Sequence, residues 1–442
     1  MRQLGGMRGG LLATCAAAAL IGSTIGANAG GFHVREQSTE FQGMSFAGNG
    51  TTGGGLSGMF WNPAVAAYAP VGIYTESHYA ALIGRTEMTA EPGSTLLFVG
   101  DKSGDIAKDA IVPSSYLSYR LNDRLVFAMS VNSPFGLVTE PENRVWAGQT
   151  FARTSEIKTY NFTPTLAYRL TPTLAFGVGL QIQHIEGRLK RATGVTPNSQ
   201  NGVVAGDDTA FGFTAGVNWT PVPGTHIGVG YRSSIDHTLE GNVYFAGSVA
   251  GLPTGPGGWG AASIKAGVTL PEIVTLSLRQ AISSQWTILG TVEWSHWSRL
   301  EKLDVVCTGP SNTINLLGCP TTGAGTVQSS LPLGWHDGWF VSLGAEYRYN
   351  ERLTLRTGFA YEKSPIQAAD ERSLRVPDAD RIWASLGATY KWNEKVAFDF
   401  AYTHIFVEDS RIDRTEQGIR FVGHSESAVD ILSLGVKVKL GD

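Results

Sequence analysis

Residues 353–362 read LTLRTGFAYE, and large apolar residues alternate there with small, polar or charged ones. Leu355 and Phe359 hold odd positions, whereas Arg356 and Glu362 hold even positions. Successive side chains of a β-strand point to opposite faces of the sheet, so this stretch predicts a strand with one apolar face and one polar face.

The same alternation recurs from about residue 70 onward, for example in 341–349 and 396–406. It has two interpretations. A soluble β-sandwich would bury the bulky face in a core, whereas a membrane barrel would turn that face toward lipid and the polar face toward its lumen. The mean hydropathy of −0.03 and the 55 glycines are compatible with either, so the pattern of connections has to decide.

Short and long connections alternate strictly along the chain. The short connections are turn-like, and they lie at 122–123, 171–172, 221–224, 283–284, 350–351 and 393–394. The long connections are rich in glycine, proline or charge, and they lie at 140–156, 192–208, 246–260, 307–333, 366–378 and 411–424. Tight turns at one end and long loops at the other are typical of outer-membrane barrels. We therefore predict an all-β fold, an antiparallel transmembrane β-barrel of about fourteen strands over residues 70–442, with the first strand near 71–84 and the last near 427–440.

Aromatic residues recur beside the short turns, as expected for a girdle at one membrane interface. They are Tyr119, Tyr168, Trp219, Trp286, Tyr349 and Trp392. Charged residues make up only 16% of the chain and the formal net charge is −4, which gives no electrostatic footprint for nucleic acid.

The N-terminus has the organisation of a secretory signal peptide. Arg2 and Arg8 precede an apolar stretch at 11–25, and Ala27-Asn28-Ala29 forms an A-x-A cleavage site. We predict a signal peptide over 1–29 with cleavage after Ala29, and a location in the bacterial outer membrane. A lipoprotein modified at Cys15 is the disfavoured alternative.

Residues 30–69 do not alternate, and residues 41–60 are rich in glycine, serine and asparagine. An irregular segment cannot cross lipid with unpaired backbone groups, but it can occupy the interior of a wide barrel. We expect 30–69 to be a hatch that plugs the lumen; a periplasmic tail without consequence is the alternative.

Only Cys307 and Cys319 remain after removal of the signal peptide, and both lie in one irregular stretch. An exported chain meets an oxidising compartment, so a disulfide is favoured over two free thiols. No further cysteine or histidine stands at ligand spacing, so we expect no metal site and no cofactor.

The mature chain resembles the FadL/TodX family of outer-membrane transporters for hydrophobic compounds. The resemblance rests on several motifs in this order: Gly31-Phe32, Asn62-Pro63-Ala64, SPFGL at 133–137, SPI at 364–366 and VPDADRIW at 376–383. It implies a fourteen-stranded barrel closed by an N-terminal hatch, in which Asn62, Pro63 and Ala64 belong to the hatch. It further implies lateral exit of cargo at a kink in the third strand, which we place at 124–138.

The resemblance also implies a set of site residues. Phe32, Leu189 and Arg191 match the ligand-binding positions of family members that take fatty acids. The position of a second cation falls near Leu331, so this chain lacks one of the two charges expected around a carboxylate. Proline removes a ladder donor and glycine weakens a strand, which makes Pro134, Phe135 and Gly136 the candidates for the lateral gate, although an ordinary strand end has the same composition.

The function expected is passive inward diffusion of hydrophobic molecules, either long-chain fatty acids or aromatic and aliphatic hydrocarbons. We expect a monomer that contacts outer-membrane lipid and lipopolysaccharide and has no enzymatic activity. One alternative is a general aqueous porin. A lipolytic enzyme is the other, but no nucleophile elbow or paired motif surrounds the histidines, which include His184, His296, His404 and His424.

Overall fold

The computed structural model describes residues 30–196, 198–246, 254–258, 260–309, 319 and 326–440. Fourteen antiparallel strands form a closed barrel, and six of them are divided in two by a bulge or a short insertion. A seventh, β13, is divided at 408–409. The strands are β1 (Ile73–Ala90), β2 (Lys102–Asp105 and Ala110–Arg120), β3 (Leu125–Asn132 and Gly136–Thr139), β4 (Thr154–Thr171), β5 (Leu174–Ala192), β6 (Asn201–Val222), β7 (Thr225–Arg232 and Ile235–Ala246), β8 (Ala262–Leu270 and Ile273–Ala281), β9 (Trp286–Ser295 and Lys302–Cys307), β10 (Thr326–Pro332 and Gly338–Arg348), β11 (Leu353–Lys363), β12 (Arg381–Lys391), β13 (Val396–Val407 and Ser410–Glu416) and β14 (Ile419–Leu440).

Pairing between the first and last strands closes the barrel. The register runs from Ile73 opposite Leu440 to Ala90 opposite Gly423, while β1 also pairs with β2 on its other side. Closure leaves no free strand edge, so every strand can satisfy its backbone hydrogen bonds within the sheet.

The alternation of β11 shows which face is which. Leu355 and Phe359 are 41% and 63% exposed on the outside of the barrel, whereas Arg356 and Glu362 are 8% and 2% exposed on the inside. A soluble sandwich would show the opposite burial. The bulky outer face is therefore the one that meets lipid, and the membrane-barrel interpretation is confirmed.

All six aromatic residues predicted beside the short turns are exposed on the outer surface. Tyr and Trp favour the membrane–water interface because their rings are apolar and their tips are polar. The short-turn end of the barrel thus carries the predicted girdle.

Strands occupy seven or more residues of three predicted long connections, so the bounds of these connections were wrong. β6 begins at Asn201, β10 includes Thr326–Pro332, and 410–424 is largely a hairpin that turns at Gln417 and Gly418, both with positive φ. At the long-connection end of the barrel, outward-facing residues are often charged, as in the Asp413–Arg420 ion pair at 2.8 Å. Strands that extend beyond the bilayer need no apolar face, and the alternation used for prediction therefore fades.

Short helices occur only as local turns in the described residues. They are α1 (Thr39–Gln42) and the 3₁₀ turns Leu56–Phe60, Pro63–Tyr68, Leu97–Val99 and Trp297–Arg299. Among the described residues, no helix has the length and apolarity needed to span a membrane. The predicted signal peptide at 1–29 lies outside the described residues, and cleavage after Ala29 stays a prediction.

Candidate functional site: a plugged lumen with an outer cavity

Residues 30–69, called here the N-terminal segment, are almost entirely buried and contact strands around the whole barrel. Inward-facing side chains of four different strands hold the segment by hydrogen bonds. Glu76 of β1 accepts from the Leu56 and Ser57 amides, and Asn218 of β6 accepts from the Thr52 amide. Thr291 of β9 accepts from the Gly48 amide, and the Ser385 hydroxyl of β12 bonds the Ser45 hydroxyl. Polar lumen residues thus satisfy a backbone that has little regular structure of its own.

Asn62 lies at the centre of this contact. Its amide group donates to the Gly50 carbonyl at 2.7 Å and to the Val217 carbonyl of β6 at 2.9 Å, and its side-chain oxygen accepts from the Ala64 amide at 3.0 Å. The side chain therefore caps the turn that Pro63 begins and ties that turn to the wall.

Inward-facing glycines allow the segment to lie directly on the sheet. A Cβ atom at Gly230 of β7 would stand 1.8 Å from the Trp61 carbonyl oxygen, and one at Gly216 of β6 would stand 2.0 Å from Asn62 Oδ1. On the opposite wall, a Cβ at Gly358 of β11 would stand 2.1 Å from the Met44 carbonyl oxygen. The high glycine content of the chain is partly explained by this close backbone approach.

The Gly230→Ala variant tests this docking. The added methyl group overlaps the Trp61 carbonyl, so we expect displacement of the N-terminal segment, a cost of about 1–3 kcal/mol and raised ion conductance in planar bilayers. Gly267→Ala in β8 is the matched control, because a Cβ there meets nothing within 4 Å. Equal conductance of the two variants would contradict a plug held by this contact.

The N-terminal segment also fills an interruption in β3. Residues 133–135 separate the two halves of this strand, and the three residues proposed as a gate lie at or next to the interruption. The Val34 amide donates to the Pro134 carbonyl at 2.8 Å, and the Gly136 amide donates to the Phe32 carbonyl at 2.9 Å. Backbone groups that lose ladder partners are thus satisfied by residues 32–34, by the Gln37 side chain at Ser133 and by the Thr159 hydroxyl at Phe135.

Phe32 lies in an aromatic cluster next to this interruption. Its ring centroid is 4.8 Å from that of Trp297, 5.6 Å from that of Trp335 and 6.1 Å from that of Phe135. Trp297 and Trp335 belong to the insertions that divide β9 and β10. Three interrupted strands therefore direct aromatic rings into one apolar part of the lumen.

Leu189, Arg191 and Leu331 all line a cavity of about 290 Å³ near the long-connection end of the barrel. Val204 and Leu303 contribute further apolar wall, and Leu303 and Leu331 also pack against the aromatic cluster around Phe32. This outer cavity and the aromatic cluster therefore share a wall. Only Phe32, Leu189 and Arg191 had been proposed from the sequence as ligand-binding residues.

Arg375 adds a second cation to the outer cavity, from the connection between β11 and β12. Its Nη1 donates only weakly, at 3.3–3.4 Å, to the Thr154 carbonyl, the Ser155 hydroxyl and the Lys190 carbonyl. Burial lowers the pKa of the Arg375 guanidinium to about 10, with Arg191 adding repulsion and Glu416 opposing it. Leu331 supplies no charge to this cavity, as expected, but Arg375 brings a guanidinium group to it from another element of the chain.

The carboxylate nearest to this pair is already engaged. Glu416 accepts from Arg414 Nε at 3.1 Å, and Arg191 donates to the Gln417 side chain at 3.1 Å. In the described part of the chain, no ion pair joins Arg375 to a carboxylate. A cavity with a mostly apolar lining and two guanidinium groups suits an apolar molecule that ends in an anion.

A family model described as outer membrane protein transport protein (OMPP1/FadL/TodX) matches residues 19–440. The chain belongs to this family. It is 25% identical over 424 residues to a long-chain fatty acid transport protein of Escherichia coli (strain CFT073), covering 87% of this chain and 85% of the relative. It is 26% identical to outer membrane protein P1 of Haemophilus influenzae, with 88% of each chain covered.

Solved structures show the same fold. A FadL homologue of Pseudomonas aeruginosa matches with a TM-score of 0.79 at 22% identity, over 92% of this chain and 99% of that chain. The toluene transporter TodX of P. putida matches with a TM-score of 0.70 at 16% identity, over 92% and 99%. This FadL/TodX-family protein is accordingly a β-barrel of the outer membrane with a transport function.

Cys307 and Cys319 of this family member form a disulfide in the structure. Cys307 ends β9, and both cysteines pack with Val243 and Val305, which line the outer cavity. The disulfide therefore fixes a strand end beside the cavity wall.

Two side chains of the candidate site escaped prediction for different reasons. Trp297 follows Trp294 in a stretch where the alternation stops, and a break in alternation with conspicuous aromatics was a signal that could have been followed. Arg375 lies in an irregular connection, and nothing in its sequence surroundings indicates that it reaches the cavity.

Proposed function

We propose that this protein carries long-chain fatty acids across the outer membrane by passive diffusion. The observation that carries the proposal is the outer cavity, where Arg191 and Arg375 belong to a mostly apolar lining whose one carboxylate, Glu416, already accepts from Arg414. The carboxylate would lie at the two guanidinium groups, and the chain would extend toward the aromatic cluster around Phe32. Burial of each methylene group contributes about 0.8 kcal/mol, so no nucleotide or ion gradient is needed to drive entry.

The cargo leaves sideways through the interruption in β3, past Pro134, Phe135 and Gly136. Two features support this route. The aromatic cluster contains Phe135 itself, and the N-terminal segment closes the interruption from inside through residues 32–34 and the Gln37 side chain. Residues 30–69 act as the hatch, with Asn62, Pro63 and Ala64 as its main anchor, and a filled lumen disfavours a general aqueous porin.

Neutral hydrocarbons are a second candidate cargo, because the cavity wall is mostly apolar and the solved structure of similar fold described as TodX is a toluene transporter. We expect a monomer, surrounded by outer-membrane lipid and lipopolysaccharide, without catalytic activity.

Mass spectrometry of ligand retained by the purified barrel distinguishes the two cargoes. The proposal predicts co-purified fatty acids or detergent molecules with anionic or polar heads, displaced by added oleate in proportion to its concentration. Retention of neutral hydrocarbon with no displacement by oleate would contradict the fatty-acid assignment.

A further inference from the structure

The backbone nitrogens of Gly30 and Gly31 lie within a buried group of carboxylates. Gly30 N is 3.2 Å from Glu362 Oε1, and Gly31 N is 3.0 Å from Asp378 Oδ2. Both glycines and both acids are buried, at the level of the aromatic cluster around Phe32. The start of the N-terminal segment is therefore held by charged side chains of the barrel.

The carboxylates here lack full compensation from the side chains that contact them. Glu293, Glu362 and Asp378 are at most 2% exposed, and they pair with two guanidinium groups, those of Arg35 and Arg381, while the His33 ring lies 3.8 Å from Glu293. A fourth acid, Glu36, is 2% exposed and its Oε2 has no hydrogen-bond partner among the described residues. A buried carboxylate is costly unless a cation or several donors compensate it, so this group calls for a further positive charge.

We propose that the α-ammonium group of mature Gly30 is the third cation of this group and binds Glu362. Hydrolysis of the Ala29–Gly30 bond by signal peptidase consumes one water, leaving a carboxylate on Ala29 and an ammonium on Gly30. The nitrogen that already lies 3.2 Å from Glu362 Oε1 thereby becomes charged. Three ammonium or guanidinium groups then contact the three carboxylates.

The geometry of the two glycines fits this role. A Cβ at Gly30 would stand 2.5 Å from Glu362 Oε1, and one at Gly31, where φ is +67°, would stand 2.9 Å from the Trp335 ring. Glycine at both positions lets the chain end approach the acid and pass the tryptophan without a steric clash. Because residues 32–34 follow directly and fill the interruption in β3, the ion pair positions the strand addition that closes the wall.

Amine-selective acylation of the folded barrel near neutral pH, read by mass spectrometry of the N-terminal peptide, tests the ion pair. Acylation requires the neutral amine, and an ammonium group held by a carboxylate is rarely in that form. Each unit by which the pKa of the α-amino group is raised reduces the acylation rate about tenfold. We expect slow acylation of the wild type and acylation at least about tenfold faster in Glu362→Gln. Glu346→Gln is the matched control, a buried acid paired with Arg279 and Arg356 away from Gly30, and it should leave the N-terminal rate unchanged.

A variant with one extra glycine between Ala29 and Gly30 separates this role from the other contacts of Glu362. It keeps every side chain but moves the ammonium by one residue, so it should acylate as fast as Glu362→Gln, and the double variant should be no faster than either. The proposal is overturned if the mature chain starts at a residue other than Gly30, if wild-type Gly30 reacts as fast as in unfolded protein, or if the insertion leaves the rate unchanged.

Discussion

Deletion of Pro134 is expected to abolish uptake of fatty acid while leaving binding in the outer cavity intact. In β3, Asn132 pairs with Asn161 of β4, and Gly136 pairs with Lys158. Three residues of β3 therefore stand opposite two residues of β4, which is the excess of one residue that defines a bulge. Removing one residue restores a continuous register, so the ladder closes and residues 32–34 lose their place in the wall.

Pro134→Ala is the matched control, because it changes the side chain but keeps the extra residue. Uptake of labelled oleate by cells that depend on this protein, and equilibrium binding to the purified barrel, provide the two readouts. The control should transport at close to the wild-type rate, and the deletion should fall to the rate of cells without the protein. Undiminished uptake by the deletion variant would refute exit through β3.

Arg375→Met is expected to weaken the binding of long-chain carboxylates by roughly thirtyfold. A hydrogen bond to a charged group contributes about 2 kcal/mol, and the methionine fills the cavity wall without supplying a charge. The Kd for oleate should rise, whereas the Kd for the corresponding long-chain alcohol should hardly change. Calorimetry on the detergent-solubilised barrel with both ligands measures the difference.

Arg153→Met provides the control for loss of a buried arginine near the same end of the barrel. Arg153 donates to the Ser199 carbonyl and to the side chains of Asn201 and Gln149, and it does not line the outer cavity. The control should bind oleate like the wild type. Equal losses for oleate and for the alcohol in Arg375→Met would show that Arg375 shapes the cavity but does not recognise charge.

The barrel was predictable because its physics is local and repeated. The alternation in 353–362 reports a two-faced strand, and the strict succession of short and long connections reports which end of the barrel each belongs to. What failed were the bounds at the long-connection end, where β13 and β14 extend past the bilayer and Asp413 and Arg420 replace apolar outer residues. Outside lipid the outer face is free to be polar, and the signal on which the prediction depended is lost.

The site was predictable only where a motif carries it. Phe32, Leu189 and Arg191 came from the family resemblance, and Leu189 and Arg191 line the outer cavity beside the cluster of Phe32. Arg375 was missed because its place depends on how the connection from β11 to β12 packs against the distant strands β4 and β5. Contacts between segments that are far apart in sequence and have no periodicity leave no pattern in the chain itself.

The central claim is that this barrel passes hydrophobic molecules and not small hydrophilic solutes. Uptake of labelled oleate and of a labelled disaccharide, measured in the same cells with and without the protein, tests it most directly. The account predicts oleate uptake that depends on the protein and is lost on deletion of Pro134, with disaccharide entry unchanged in every strain. Protein-dependent entry of the disaccharide without entry of oleate would contradict it.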